Sequence, residues 1–270
     1  MKLYKPKFWD NKINFLAVIL FPLSLIFIIV THLNRKISKR KVFKLPIICV
    51  GNIYLGGTGK TPTSIFLARE LSKLGKKAVI LRKYYKNHAD EYKLIKNSFK
   101  NLIINKNRAD GINDAEKNGF DFVILDDGLQ DHRINKNIKI VCFNSNQLIG
   151  NGLVLPAGPL REKLSILKSA EIVIINGKKN NIFEKKILNI NKKLEIFYSF
   201  YKPTNLDQFK NKKLLAIAGI GNPYNFFKII EENNLYISKK LIFPDHYQFS
   251  QIEVENIIKD AELNNYEIIM

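Results

Sequence analysis

Between Val50 and Pro62 the chain reads Val50-Gly51-Asn52-Ile53-Tyr54-Leu55-Gly56-Gly57-Thr58-Gly59-Lys60-Thr61-Pro62, with glycine, lysine and threonine where a phosphate cradle needs them. Glycines let backbone N–H groups turn toward phosphate oxygens, a lysine bridges neighbouring phosphates, and a threonine hydroxyl can ligand Mg2+. Gly56, Gly57, Thr58, Gly59, Lys60 and Thr61 are therefore the candidates for holding a nucleotide, with Thr61 also a candidate metal ligand. The strict G-x-x-x-x-G-K-[ST] spacing asks for glycine at position 54, where Tyr54 stands. A glycine turn without a ligand is the competing reading. About 65 residues further on, Phe122-Val-Ile-Leu-Asp126-Asp127-Gly128 is an apolar run ending in two carboxylates, the place where such proteins hold Mg2+ and its water shell. Alone, that ending is common. Paired with the glycine loop, it points to hydrolysis or transfer of a nucleotide phosphate, which leaves a kinase, a partitioning ATPase and a nucleotide-dependent ligase open.

Both groups must be presented by elements whose ends meet. From Leu45 onward, short runs rich in Val and Ile alternate with amphipathic stretches, the pattern of an α/β fold with a mostly parallel sheet and flanking helices, as in P-loop NTPases. The expected strands are 46–50, 78–81, 122–125, 138–143 and 172–175, with a helix over 61–74 stopped by Gly75. The Lys- and Asn-rich stretch 178–193 reads as an exposed helix or insertion. After Pro203 a smaller α/β unit is expected, with strands at 214–218 and near Leu241, a helix over 223–232, and a capping box at Ser250-Gln-Ile-Glu253 opening a helix to about Ala261. The expected division is a membrane-associated segment 1–44, a kinase-like domain 45–200 and a smaller α/β domain 201–270.

Upstream of all this, Ile13 to Asn34 carries no charge, and its core, Phe15 to Val30, is almost wholly apolar, long enough to span a bilayer. Arg35, Lys36, Lys39, Arg40, Lys41 and Lys44 follow, a cluster suited to anionic headgroups and to the cytoplasmic side. Pro22 makes a kinked segment lying in one leaflet as reasonable as a straight span; a buried core helix is the alternative without a membrane. A cleaved signal peptide fits poorly. The 270 residues, 46% hydrophobic and 25% charged, describe a folded chain with a sizeable core. The net charge of +20 suggests an anionic partner, yet only seven of the 44 basic residues are Arg, and the Lys, Asn and Ile bias is one that AT-rich codon usage produces. Cys49 and Cys142 sit in apolar runs, as free thiols do in a reducing compartment. No basic run interleaved with aromatics is present, so nucleic acid is not an expected partner.

The blocks Val50-Gly-Asn, Gly56 to Pro62, Asp126-Asp-Gly-Leu-Gln-Asp-His132 and Ile149-Gly-Asn-Gly-Leu-Val-Leu-Pro-Ala-Gly-Pro-Leu-Arg161-Glu162 closely resemble the tetraacyldisaccharide 4'-kinase family of lipid A biosynthesis. The resemblance continues through Asn176-Gly177, Ala218-Gly-Ile-Gly-Asn-Pro223 and Phe243-Pro-Asp-His246-Tyr-Gln-Phe249, from about residue 45 to the end. It implies transfer of the ATP γ-phosphate to the 4'-hydroxyl of an acylated glucosamine disaccharide 1-phosphate, with Mg2+; together with the apolar segment and its basic flank, the expected setting is the cytoplasmic face of the inner membrane, and the expected species a monomer. Lys60 and the loop amides would hold the phosphates, while Thr61 with Asp126 or Asp127 would hold Mg2+. Asp90-Glu91 is similar to the family's Gly-Asp-Glu-Pro segment, which makes Asp90 the candidate base and Glu91 a substrate-binding candidate. His246 matches a family histidine that could couple to that carboxylate or to Asp127. Arg108, Arg161 and Glu162 match positions near phosphate or sugar.

Each assignment has a plainer counterpart. Asp90 and Glu91 lie in a polar stretch that reads as a solvated face, His246 follows Pro244-Asp245 and suits a turn cap, and Arg161 suits a helix cap or a pair with Glu162. The chain has Leu81-Arg82-Lys83-Tyr84-Tyr85 where the family has Ser-Arg-Gly-Tyr-Gly, so Tyr84 or Tyr85 is a further candidate to face the nucleotide. Glu267-Ile-Ile-Met270 falls where the family continues through a strand into Thr-Glu-Lys-Asp, so the smaller domain is expected to be C-terminally incomplete. The rival is a membrane-tethered P-loop ATPase switch, which offers no role for Leu155 to Arg161.

Overall fold

Strands β1 (Ile47–Gly51), β2 (Ala78–Lys83), β4 (Phe122–Asp126), β5 (Ile138–Asn144) and β6 (Ile172–Asn176) form where the Val and Ile runs were read. The computed structural model describes residues 6–10, 14–86, 88–203, 205–220, 223–244 and 247–270. Two strands that the sequence did not reveal, β3 (Leu102–Asn105) and β7 (Glu195–Ser199), complete a seven-stranded sheet in the order β3-β2-β4-β1-β5-β6-β7, parallel throughout. Both are edge strands and only part-buried. An edge strand lacks the continuous apolar run that burial on both faces imposes.

Helices cover both faces. On one, α2 (Lys60–Lys73) places Ile65 and Ala68 against Val50, Ile80 and Ile124, and α3 (Ala89–Ser98) adds Ile95. On the other, α4 (Arg108–Lys117) and α5 (Asn181–Leu188) add Ile112, Ala115, Phe183 and Ile187 to a core containing Cys49, Leu125 and Phe143. Strand β1 lies between β4 and β5, while its own chain leaves toward β2. This is the point where the direction of winding reverses, outside whose strand ends an open α/β sheet leaves a crevice for ligands.

The apolar N-terminal stretch is one helix, α1 (Phe15–Ile37), continuous through Pro22 and started by Asn14, whose side chain accepts from Ala17 N at 3.0 Å. Its most apolar window has a mean hydropathy of 2.6 and only 11% of it is buried, so a buried core helix is excluded. Only Ala17 and Ser24 are fully covered, while Phe27 and Ile28 lean on the core. Ser24 Oγ donates to Val154 O at 2.8 Å and accepts from Ala157 N at 3.0 Å.

Residues 201–270 form a second unit. Here β8 (Lys213–Ala218), α6 (Pro223–Glu232), β9 (Ile237–Ile242), α7 (Gln251–Asn264) and β10 (Tyr266–Ile269) build a three-stranded parallel sheet in the order β10-β8-β9. The capping box at the start of α7 is present, with Glu253 N donating to Ser250 Oγ and Ser250 N to Glu253 Oε2.

Candidate active site

The run after β1 turns back on itself before α2. Gly56 (φ 123°) and Gly59 (φ 85°) take left-handed conformations that a side chain would oppose, and Gly59 is the residue from which α2 starts. Asn52 holds the loop from inside, its Nδ2 donating to Tyr54 O (2.7 Å), Gly56 O (3.2 Å) and Thr58 Oγ1 (2.8 Å). Asn176, at the tip of β6, donates to Thr58 O at 2.5 Å. The loop thus ends at a helix N-terminus, where free N–H groups and the helix dipole favour an anion. Tyr54, in the place of the missing glycine, is fully buried in the core and its hydroxyl donates to Asp10 at 2.7 Å. Its side chain is thus committed to the core and to Asp10.

Register decides the next shell. Arg82 of β2 pairs with Asp126 of β4, and Val50 of β1 flanks Asp126 on the other side. Partners on parallel strands project to the same face, here the face under α2. Thr61 Oγ1 and Ser64 Oγ each donate to an oxygen of Asp126 at 3.0 Å. The Arg82 guanidinium pairs with Asp126 and with Glu91 and donates to Thr61 Oγ1 at 3.1 Å. His88 Nδ1 lies 2.7 Å from Glu91 Oε2. Asp126 and Arg82 are buried, so each charge depends on the other for compensation.

Asp127 leaves the strand at φ 55°, a conformation aspartate tolerates better than most residues. Its carboxylate receives both Nη atoms of Arg161 (2.9 and 3.4 Å) and stands 4.0 Å from Lys60 Nζ. Burial favours the neutral acid, but Lys60 and Arg161 outweigh it and hold the carboxyl well below its usual range. Arg108 Nη2 donates to Asp127 O at 2.6 Å and its Nη1 faces Asp131 at 3.5 Å. Arg161 and Gln130 both donate to Asn52 O, which ties the two carboxylates' loop to the glycine loop.

The sequence candidates gather unequally. Gly56 to Thr61, Asp126, Asp127, Arg108 and Arg161 converge at the ends of β1 and β4. Asp90 is exposed on the first turn of α3, next to Glu91, which Arg82 links to Asp126. Glu162 lies beyond Arg161, 3.6 Å from His132 Nε2. His246 lies outside the described residues. Tyr84 and Tyr85 are part-exposed at the end of β2, with Tyr84 stacked on Tyr92. Sequence reasoning missed Arg82, Ser64, Asn52 and Asn176 as parts of the site. Arg82 carried a signal, a charged residue closing an apolar strand run. Ser64 had a fainter one, three residues after Thr61 and so on its side of the helix.

Thr61 and Asp126 fit Mg2+ as hard oxygen donors close enough to share one ion, with nucleotide phosphates and water completing the shell. No cluster of three His, Cys, Asp or Glu side chains suited to a protein-only metal cage occurs among the described residues.

The family model described as Tetraacyldisaccharide-1-P 4'-kinase matches residues 16–270. The tetraacyldisaccharide 4'-kinase of Pelagibacter ubique is 42% identical over 274 residues, covering 100% of this chain and 86% of that protein. The enzyme of the same name from Francisella tularensis subsp. novicida is 35% identical, covering 94% of this chain and 89% of that protein. Among solved structures, LpxK from Aquifex aeolicus in complex with ATP superposes with a TM-score of 0.66 over 87% of this chain and 84% of that one at 22% identity, a likeness of fold.

Proposed function

Because the chain belongs to the tetraacyldisaccharide-1-P 4'-kinase family, we propose that it transfers the γ-phosphate of ATP to the 4'-hydroxyl of tetraacyldisaccharide 1-phosphate, giving lipid IVA in the lipid A pathway. The observation that carries this reading is the meeting of the glycine loop with Asp126 and Asp127, Thr61 Oγ1 lying 3.0 Å from Asp126 and Lys60 Nζ 4.0 Å from Asp127. The loop amides and Lys60 hold the β- and γ-phosphates. Thr61 and Asp126 are the donors that would hold Mg2+, whose charge offsets that of those phosphates. Arg161 stands ready to neutralise charge on the transferring group.

Asp90 takes the proton of the acceptor hydroxyl as the new P–O bond forms, and the bond from the γ-phosphorus to the bridging oxygen breaks to release ADP. Glu91, Arg108 and Glu162 complete the acceptor side. The exposed apolar helix α1 and the basic residues after it are the basis for placing the enzyme at the cytoplasmic face of the inner membrane, where its acceptor resides. One chain supplies all of these groups, and the acting species is read as a monomer.

The test incubates the purified chain with labelled ATP, Mg2+ and detergent-dispersed tetraacyldisaccharide 1-phosphate. Labelled lipid is expected, with transfer falling at least about 100-fold in Lys60→Ala and in Asp90→Ala while circular dichroism stays unchanged. Absence of labelled lipid from folded wild-type protein would sink the reading.

A further inference from the structure

Where α1 ends, the chain builds a second positively charged place that the transfer chemistry does not use. Arg35 in the last turn of α1 and Arg40 just beyond it face His132, Lys136 and Lys139 across a recess of about 60 Å³, floored by Leu129, Ile134 and Ile166. By the measure in which one water needs about 10–15 Å³, this volume takes roughly four or five atoms of that size, the size of one phosphate group. Two arginines and two lysines line it, burial lowering the proton affinity of Lys136, and the neighbouring carboxylates Glu162 and Asp131 are not among the lining residues.

The cations are only partly satisfied. Lys136 is buried and donates to Leu129 O (2.9 Å) and Asp131 O (2.8 Å), which leaves one of its three N–H groups for a ligand. Lys139 donates to Ser169 O at 2.7 Å. Among the described residues, neither Arg35 nor Arg40 has a hydrogen-bond or ion-pair partner. Burial, together with Lys136 and Arg35, pushes His132 down to about 4, and burial pushes Glu162 up to about 7. Their 3.6 Å contact is therefore one of neutral imidazole and a carboxyl group only partly ionised near neutral pH, which Arg35 and Lys136 draw toward the charged form, so it offsets only part of the positive charge.

We propose that this recess is a binding site for a lipid-borne phosphate group. The inference rests on the reading of the chain as a lipid kinase, because that reading supplies a ligand with the right chemistry at both ends. The segment 127–132 runs from Asp127 in the transfer site to His132 in the recess, and Arg161 and Glu162 run alongside it from the same carboxylate to the same histidine. A disaccharide lying along these segments presents its hydroxyl to the transfer site and its 1-phosphate to the recess, with acyl chains along α1. A phospholipid headgroup at the foot of α1 offers the same phosphate chemistry.

Arg35→Gln/Arg40→Gln is compared with Lys36→Gln/Lys39→Gln, which removes the same charge from residues that do not line the recess. In one arm, equilibrium binding to detergent-dispersed tetraacyldisaccharide is measured without ATP, with and without the 1-phosphate. In the other, cosedimentation is measured with vesicles of phosphatidylglycerol or of phosphatidylcholine. The arginine variant is expected to bind the phosphorylated disaccharide at least about tenfold more weakly and the dephosphorylated one unchanged, while the lysine variant binds both as the wild type does. Selective loss of phosphatidylglycerol vesicles by the arginine variant alone, with disaccharide binding intact, supports the site and assigns it to a membrane headgroup. Equal behaviour of the two variants in both arms, or equal weakening toward both disaccharides, overturns it. Binding needs no turnover, so failure of the kinase assay and failure of this site are separate outcomes.

Discussion

Arg82 stands between two carboxylates, and its burial makes it the side chain on which the local charge balance depends. Truncation would leave Asp126 buried without a counter-charge. Arg82→Ala is therefore expected to cost about 3–5 kcal/mol of stability, read as an earlier unfolding transition in Trp9 fluorescence, while Asp126→Asn/Arg82→Ala recovers part of the loss. Glu162 gives a prediction in pH. Its folded-state value, about 7 against the ordinary 4.5 of a glutamate, means that the folded protein holds a proton that the unfolded chain gives up. Its contribution is fully present below about pH 4.5 and is lost as pH rises through 7. Relative to wild type, Glu162→Gln should gain roughly 3 kcal/mol of stability between pH 4.5 and pH 8, measured by urea unfolding at each pH. His132 titrates in the opposite sense over part of that range, so the wild-type profile alone is flatter than either group's.

At the scale of elements, the contacts between α1 and the 154–161 segment bear on the site. Ser24 joins the helix to Val154 and Ala157, Trp9 donates to Pro156 O at 3.1 Å, and Asp10 receives the Tyr54 hydroxyl. The N-terminal segment thereby holds both the glycine loop and the strand-like piece that carries Arg161. Ser24→Ala removes only the hydroxyl and leaves the Ala157 amide unpaired, while Val154 O keeps its bond from Gly158 N, so a loss of about 1–3 kcal/mol is expected in the Trp9-monitored transition. The periodic elements were legible because local pattern specifies them, as with 223–232 and the Ser250 capping box. The edge strands β3 and β7 and the helices α3 and α4 were not. Their apolar positions are few and shared with polar ones, and what makes them regular is contact with neighbours distant in sequence.

For the whole molecule, the proposed membrane association would draw on two separable features, the exposed apolar helix and the basic run behind it. Raising salt from about 0.1 M to about 1 M shortens screening from about 10 Å to about 3 Å. Cosedimentation with anionic vesicles should therefore fall toward, and level off at, the value for neutral vesicles, which the apolar helix sustains. The sequence alone determined the glycine loop, the two carboxylates, the parallel α/β plan and the apolar N-terminal helix, since each is written in contiguous residues whose spacing has a direct physical meaning. Only the tertiary structure decided that Arg82 shares Asp126 with Thr61, that Tyr54 fills the core instead of the cradle, and that Arg35 meets Lys136 in a recess. Those pairings depend on strand register and helix docking, which join residues far apart along the chain and leave no mark in any single stretch of it.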